Sequence, residues 1–285
     1  MTFRLSIVAL YLLVTFLSRP LSYALERVDL TYGTAAGEEL KLDLFVPDGS
    51  GPLPVCVLVH GGGFERGDKQ KQVKPLFAPL VKARFAWVST SCRLSPAHKY
   101  PGSVEGLETA ILWVKAHARE YCFDPSRIVL IGKSAAAYLV SLVGARNHEE
   151  TRVAAVVPFY GLADLAVMCE AAKSKPASSF TNYFGVTGDN EAARKLLAEA
   201  SPATCVRPGL PPFLLLHGNA DDRIAYQQSV NFLDRLKAAG VPSELITIEG
   251  GGHGMGGWGK LGSDYTAQLI AWFNKTLKTS TGLSS

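Results

Sequence analysis

The stretch Arg127-Ile-Val-Leu-Ile-Gly-Lys-Ser-Ala-Ala-Ala-Tyr-Leu-Val140 decides the fold. Ile128 to Ile131 form an apolar, mostly β-branched run, the pattern of a strand buried on both faces. Gly132-Lys-Ser134 then turns sharply, and Ala135 to Leu142 are strong helix formers with an apolar face. A serine at the tip of such a turn has its hydroxyl pushed clear of the sheet. The next N–H, at a helix N-terminus, points at any oxyanion forming there. Two readings of Ser134 stand side by side: a nucleophile elbow of the G-x-S-x-G type with Ala136 in place of the second glycine, and an ordinary strand–turn–helix with an N-capping serine. A phosphate loop is excluded, because its first glycine would fall on Arg127.

Outward from this stretch the chain alternates strands and helices. Glu26 to Tyr32 and Leu40 to Val46 alternate apolar and polar residues, with Gly33 to Glu39 as the turn between them. Pro54 to His60 is a buried strand, Val73 to Lys82 a helix, Phe85 to Cys92 a strand, and Val104 to Glu120 a helix. Val153 to Phe159 is another apolar run. Pro212 to His217, a helix from Tyr226 to Ala239, Ser243 to Ile248 and a last helix from Leu261 to Leu277 follow. Short strands alternating with helices imply an α/β fold, a mostly parallel central sheet with helices on both faces and ligands at the strands' carboxyl ends. Residues 162–208 break the rhythm with polar sequence and are the expected lid-like insertion.

The chain has 285 residues, 47% of them hydrophobic, which suits one large domain over residues 25–285. Residues 1–24 read as a signal peptide: Arg4, an apolar core from Leu5 to Leu17, then Ser22-Tyr-Ala24 as a small-x-small cleavage pattern. The apolar core is short for a membrane span, and an uncleaved anchor is the alternative. The expected location is secreted or periplasmic. Cleavage removes Arg4 and Arg19 and no acids, so the net charge falls from +4 to a near-neutral value that gives no reason to expect a nucleic-acid partner or stable membrane insertion. The five cysteines match no zinc spacing; Cys56 reads as a small buried residue, and a Cys169–Cys205 bridge is one pairing that would staple the insertion.

Three loops at strand carboxyl ends carry chemistry. His60-Gly-Gly-Gly63 offers backbone N–H groups with no side chains in the way, material for an oxyanion hole, with His60 itself structural. His217-Gly-Asn-Ala-Asp221-Asp222 delivers a carboxylate, with Asp221 preferred over Asp222, and Gly250-Gly-Gly-His253 delivers an imidazole. The order Ser134, Asp221, His253 is the one an elbow serine requires. Serine is a poor nucleophile until histidine takes its proton, and the carboxylate fixes the imidazole tautomer and stabilises its cation. His98, His117 and His148 read as surface residues.

On His60-Gly-Gly-Gly-Phe64, Cys92-Arg-Leu-Ser-Pro-Ala-His-Lys-Tyr-Pro101, Asp124-Pro-Ser-Arg-Ile128, Gly132-Lys-Ser-Ala135 and the histidine loop, the chain resembles the α/β-hydrolase fold esterases and lipases related to hormone-sensitive lipase. Ser201-Pro202, His217 to Asp221 and Gln227-Gln-Ser229 are similar to exported carbohydrate acetyl and feruloyl esterases. The likeness spans about residues 27–278. It implies a serine esterase for small-molecule or carbohydrate esters with no cofactor or metal: Ser134 as nucleophile, His253 as base, Asp221 as acid, and the N–H groups of Gly62, Gly63 and Ala135 as the oxyanion hole. Phe64, Lys133, Tyr160 and Trp258 are the expected pocket lining. The family's elbow ends Ser-Ala-Gly-Gly, whereas Ser134-Ala-Ala-Ala137 stands here, and a displacement of about 1 Å in the nucleophile costs on the order of a hundredfold in rate. A prolyl-oligopeptidase-like peptidase and a non-catalytic ligand-binding homologue are the alternatives; retention of the histidine favours activity.

Overall fold

The computed structural model of the protein describes residues 24–171, 177–186 and 190–277. Apart from Ala24, the expected signal peptide lies outside the described residues. In chain order the elements are β1 (Leu25–Ala35), β2 (Glu38–Val46), β3 (Leu53–Val59), α1 (Phe77–Lys82), β4 (Ala86–Thr90), α2 (Gly102–Ala116), β5 (Phe123–Lys133), α3 (Ala135–Arg146) and β6 (Ala155–Phe159). Then come α4 (Leu165–Ala171), α5 (Ser178–Phe184), α6 (Glu191–Ala200), β7 (Phe213–Gly218), α7 (Gln227–Ala238), β8 (Ser243–Ile248) and α8 (Tyr265–Thr276).

The strands form one sheet in the order β1-β2-β4-β3-β5-β6-β7-β8. From β4 to β8 every neighbouring pair is parallel, while β1 and β2 add an antiparallel edge. Central strands must be apolar on both faces, and Val55 to Leu58 and Ile128 to Leu130 are fully buried. Each such side chain contributes roughly 1.5–3 kcal/mol. Two apolar layers result. One packs α2, α3 and α7 on the sheet through Ile111, Tyr138 and Leu236; the other packs α1 and α8 through Leu80, Leu269 and Phe273. This is the α/β-hydrolase fold.

Chain direction across the sheet reverses at β3: the next strand, β4, lies on one side of it and β5 on the other. The loops leaving the carboxyl ends of β3 and β5 therefore part, and such a switch point opens a crevice there. Those loops carry His60-Gly-Gly-Gly63 and Ser134.

Local boundaries differ from the sequence expectation where a turn is tighter than composition suggests. The first hairpin turns on Ala36 and Gly37 alone, both at positive φ (52° and 81°), so the first strand runs on to Ala35 and the second starts already at Glu38. The last helix starts at Tyr265 rather than Leu261, because Gly262 takes a left-handed conformation and Asp264 caps the helix by accepting the Ala267 N–H at 3.1 Å. His98 and His117 are half-buried rather than surface residues: His98 meets Glu38 at 2.9 Å, and His117 stacks on Trp113.

The described part of the 162–208 segment is packed onto the α3 side of the sheet. Gln228 of α7 accepts the Ala163 and Asp164 N–H groups and donates to the Asp164 carbonyl, while Ser201 accepts the Leu165 N–H. Among the described cysteines no disulfide forms, so Cys169 and Cys205 are not bridged as the spacing allowed; both pack against the α3-side core.

Candidate active site

Ser134 sits between β5 and α3 with φ 55° and ψ −123°. A non-glycine residue held there costs on the order of 1–3 kcal/mol, and the surrounding backbone must over-determine it. Its N–H donates to the Phe159 carbonyl on β6 at 2.9 Å, and its carbonyl receives the Ala137 N–H at 2.9 Å. Gly132 is obligatory: a Cβ there would run into the backbone of Ala136. The two methyl groups that depart from the Ser-Ala-Gly-Gly pattern are both buried. That of Ala137 packs against Gly161, the residue after Tyr160. Ala136 faces a small cavity lined by Phe64, Arg93, Ser103 and Leu139.

Despite those methyl groups, Ser134 Oγ lies 2.9 Å from His253 Nε2, and His253 Nδ1 lies 2.8 Å from Asp221 Oδ2. The carboxylate can only accept, so Nδ1 carries the proton and Nε2 is left to accept the serine hydroxyl. The Asp221 side chain is fully buried and meets His253, and Asp222 beside it is exposed. Burial pushes the Asp221 carboxyl up. Hydrogen bonds from His217, His253 and the N–H groups of Ile224 and Arg223 outweigh that and hold it well below the usual carboxylate range.

The glycine loop leans on the elbow. A Cβ on Gly61 would lie 3.2 Å from Ser134 Cβ, so the close approach of the two loops needs this glycine. Gly62 (φ 127°), Gly63 (φ 62°) and Phe64 (φ 66°) continue in left-handed conformations, and the Gly62 carbonyl is turned away to receive the Glu65 and Arg66 N–H groups. Ala135 is the first residue of α3, where an N–H has no acceptor within the helix. His60 is buried, donates from Nδ1 to the Gly61 carbonyl (2.7 Å) and accepts the Cys92 N–H on Nε2 (3.1 Å). Burial pushes its pKa down, and the neutral ring splints the loop, the structural part expected of it.

The expected pocket lining is corrected for Tyr160, Trp258 and Lys133, while Phe64 lines the small cavity beside Ala136. Tyr160 and Trp258 are each 1% exposed and form the wall behind His253: the Tyr160 ring meets it edge to face at 4.9 Å, and Trp258 Nε1 donates to the Gly252 carbonyl. Phe64 stacks flat on Tyr183 of α5, ring centres 4.0 Å apart. Lys133 turns its ammonium to the Gln72 carbonyl at 2.6 Å, and burial pushes its pKa down to about 8. Tyr160 and Trp258, large rings near a polar loop, go where desolvation takes them, behind His253 rather than into the site.

One residue central to this geometry was not singled out from sequence. His217, fully buried, places Nε2 3.2 Å from Asp221 Oδ2. Its spacing four residues before Asp221 was the available signal.

The comparisons agree with the esterase resemblance. The chain is 31% identical over 222 residues to a protein named probable carboxylic ester hydrolase LipM of Mycobacterium tuberculosis, covering 73% of this chain and 51% of that one. It is 29% identical over 231 residues to Esterase LipQ of the same organism, covering 76% and 54%. The chain thus spans about half the length of the curated relatives it matches. Among solved structures, a truncated form of a carbohydrate esterase from gut microbiota superposes with a TM-score of 0.78 at 24% identity, over 90% of this chain and 97% of that one, and shares the fold. The BD-FAE family profile matches residues 42–236, which take in the sheet from β2 to β7, the glycine loop, Ser134 and Asp221 and leave His253 beyond the match. This chain belongs to the BD-FAE family.

Proposed function

We propose that the protein is a serine carboxylic-ester hydrolase. The observation that carries the reading is the unbroken line Ser134 Oγ, His253, Asp221, with contacts of 2.9 and 2.8 Å. In the reaction, Ser134 Oγ attacks the ester carbonyl carbon as its proton passes to His253 Nε2. The tetrahedral oxyanion is met by the N–H groups of Gly62, Gly63 and Ala135. Its collapse expels the alcohol, which takes the proton from His253, and leaves an acyl group on Ser134. Water, deprotonated by His253, then releases the acid and restores the serine. Asp221 stays ionised throughout, opposite the imidazolium.

The names of the relatives support the ester class. For the substrate we take short-chain acyl esters, acetyl or feruloyl groups on polysaccharide. The likeness of residues 201–229 to carbohydrate esterases supports this choice, and so does the export pattern of residues 1–24, which would place the enzyme outside the cytoplasm. The described part of the segment 162–208 borders the site in this reading, since Tyr183 stacks on Phe64 next to the oxyanion glycines.

Hydrolysis of p-nitrophenyl acetate by the wild type beside Ser134→Ala tests the activity. The variant should lose about 10⁴-fold or more in turnover. A folded wild type no faster than the variant would end the esterase reading. Acetate release from acetylated xylan, against hydrolysis of a long-chain acyl ester, tests the substrate class.

A further inference from the structure

Asp221 carries two imidazoles on one oxygen. Oδ2 is 2.8 Å from His253 Nδ1 and 3.2 Å from His217 Nε2. The same His217 nitrogen lies 3.0 Å from the Ile224 carbonyl. Both partners of Nε2 are acceptors, so this nitrogen carries a proton and shares it between them. The other nitrogen, Nδ1, is 2.7 Å from Ser229 Oγ at the start of α7, and that hydroxyl is free to donate to it. A neutral ring with its proton on Nε2 satisfies every contact without placing a charge in a fully buried position.

We propose that His217 is a positioning residue for the triad: its Nε2–H holds Asp221 Oδ2 toward His253 and ties the loop from Gly218 to Ile224 closed around the carboxylate. The proposal rests on the esterase reading above. The second carboxylate oxygen is already fixed by the N–H groups of Arg223 (2.9 Å) and Ile224 (3.0 Å). With His217 in place Asp221 accepts from four donors, and any rotation that carries Oδ2 away from His253 breaks several of them at once. Ser229 reaches the site through the first turn of α7, and its neighbour Gln228 clamps the backbone at Ala163 and Asp164. The hydrogen-bond line that ends on Ser134 thus begins on α7, a helix packed on the α3 face of the sheet.

The experiment compares His217→Leu, His217→Gln and Ser229→Ala with the wild type, using p-nitrophenyl acetate kinetics and the downfield proton resonance of His253 Nδ1–H in the absence of substrate. Removing the donor should lower kcat by about tenfold to a hundredfold with KM changed less than about twofold, the mark of misplacement rather than lost binding. Gln restores an N–H at this place and should recover most of the rate. The Nδ1–H resonance should move in His217→Leu and return toward its wild-type position in His217→Gln. Ser229→Ala, the mildest change, keeps the test available if the leucine variant does not fold; it should shift both readouts in the same direction by less. Equal behaviour of Leu and Gln, or resonances unmoved in all three variants, would overturn the proposal. If the wild type turns over no ester, the esterase reading fails by itself and the resonance alone decides whether His217 orders the Asp221–His253 pair.

Discussion

Gly161 and Ala137 occupy one site between them: a Cβ added to Gly161 would lie 2.5 Å from the Ala137 methyl group. The strand-to-helix elbow that usually tolerates only glycine on the helix side takes an alanine here because the facing position gave up its own side chain. The prediction is reciprocal. Gly161→Ala should destabilise by about 1–3 kcal/mol through overpacking and lower kcat by displacing Ser134. Adding Ala137→Gly should restore most of both, so that the double variant is more stable than the sum of the singles predicts. Denaturant unfolding of the four proteins measures the coupling; strict additivity would show that the contact carries no strain.

The two adjacent aspartates should separate cleanly. Asp221→Asn keeps the shape of a side chain with no exposure but gives His253 Nδ1 an amide in place of a carboxylate, and kcat should fall by about 10⁴-fold. Asp222→Asn, on an exposed side chain, should stay within about twofold. Steady-state kinetics of the pair decides the assignment, and a large loss in Asp222→Asn would reverse it.

Lys133 makes a prediction about pH. Its pKa falls from 10.5 in the unfolded chain to about 8 in the folded one because burial disfavours the ammonium. Between those values the unfolded chain binds more protons than the folded one, so stability rises with pH from about 8 to 10.5. The gain is on the order of 1 kcal/mol once partial exposure is allowed for. Lys133→Met should remove this rise. Urea unfolding of both proteins at pH 7.5 and pH 10 reads it, and parallel curves would place the ammonium in solvent.

How much of this was legible in the sequence follows from the range of the forces involved. The runs at Val55 to Val59 and Ile128 to Ile131 announce buried strands because a central parallel strand needs apolar residues on both faces, a property local to five residues. Ser134, Asp221 and His253 were legible for a related reason: each lies in the loop that leaves the carboxyl end of a strand, β5, β7 and β8, so the sheet carries all three to one edge. Tyr160 and Trp258 were misread because burial behind His253 depends on packing between β6 and the turn after β8, which no local pattern encodes. The same holds for Gly161, whose need for a missing side chain is set by Ala137 across the elbow. His217 lies in the same loop motif as Asp221, but its contact with the carboxylate four residues on exists only once the loop folds back.

The sheet order bears on where the fold opens first. His253 follows β8, the last strand of the sheet, which has β7 as its one neighbour and only one buried residue, Ile248, among its six; β7 is buried along its whole length. Strands with little burial and a single partner open at a smaller free-energy cost than the centre of a sheet. Fraying from this rim withdraws His253 first and leaves Ser134 and the glycine loop, both anchored on central strands, standing. On warming, the contact between His253 and Ser134 should therefore be lost while most of the secondary structure is still intact, and cooling before the centre melts should restore it without refolding the whole chain.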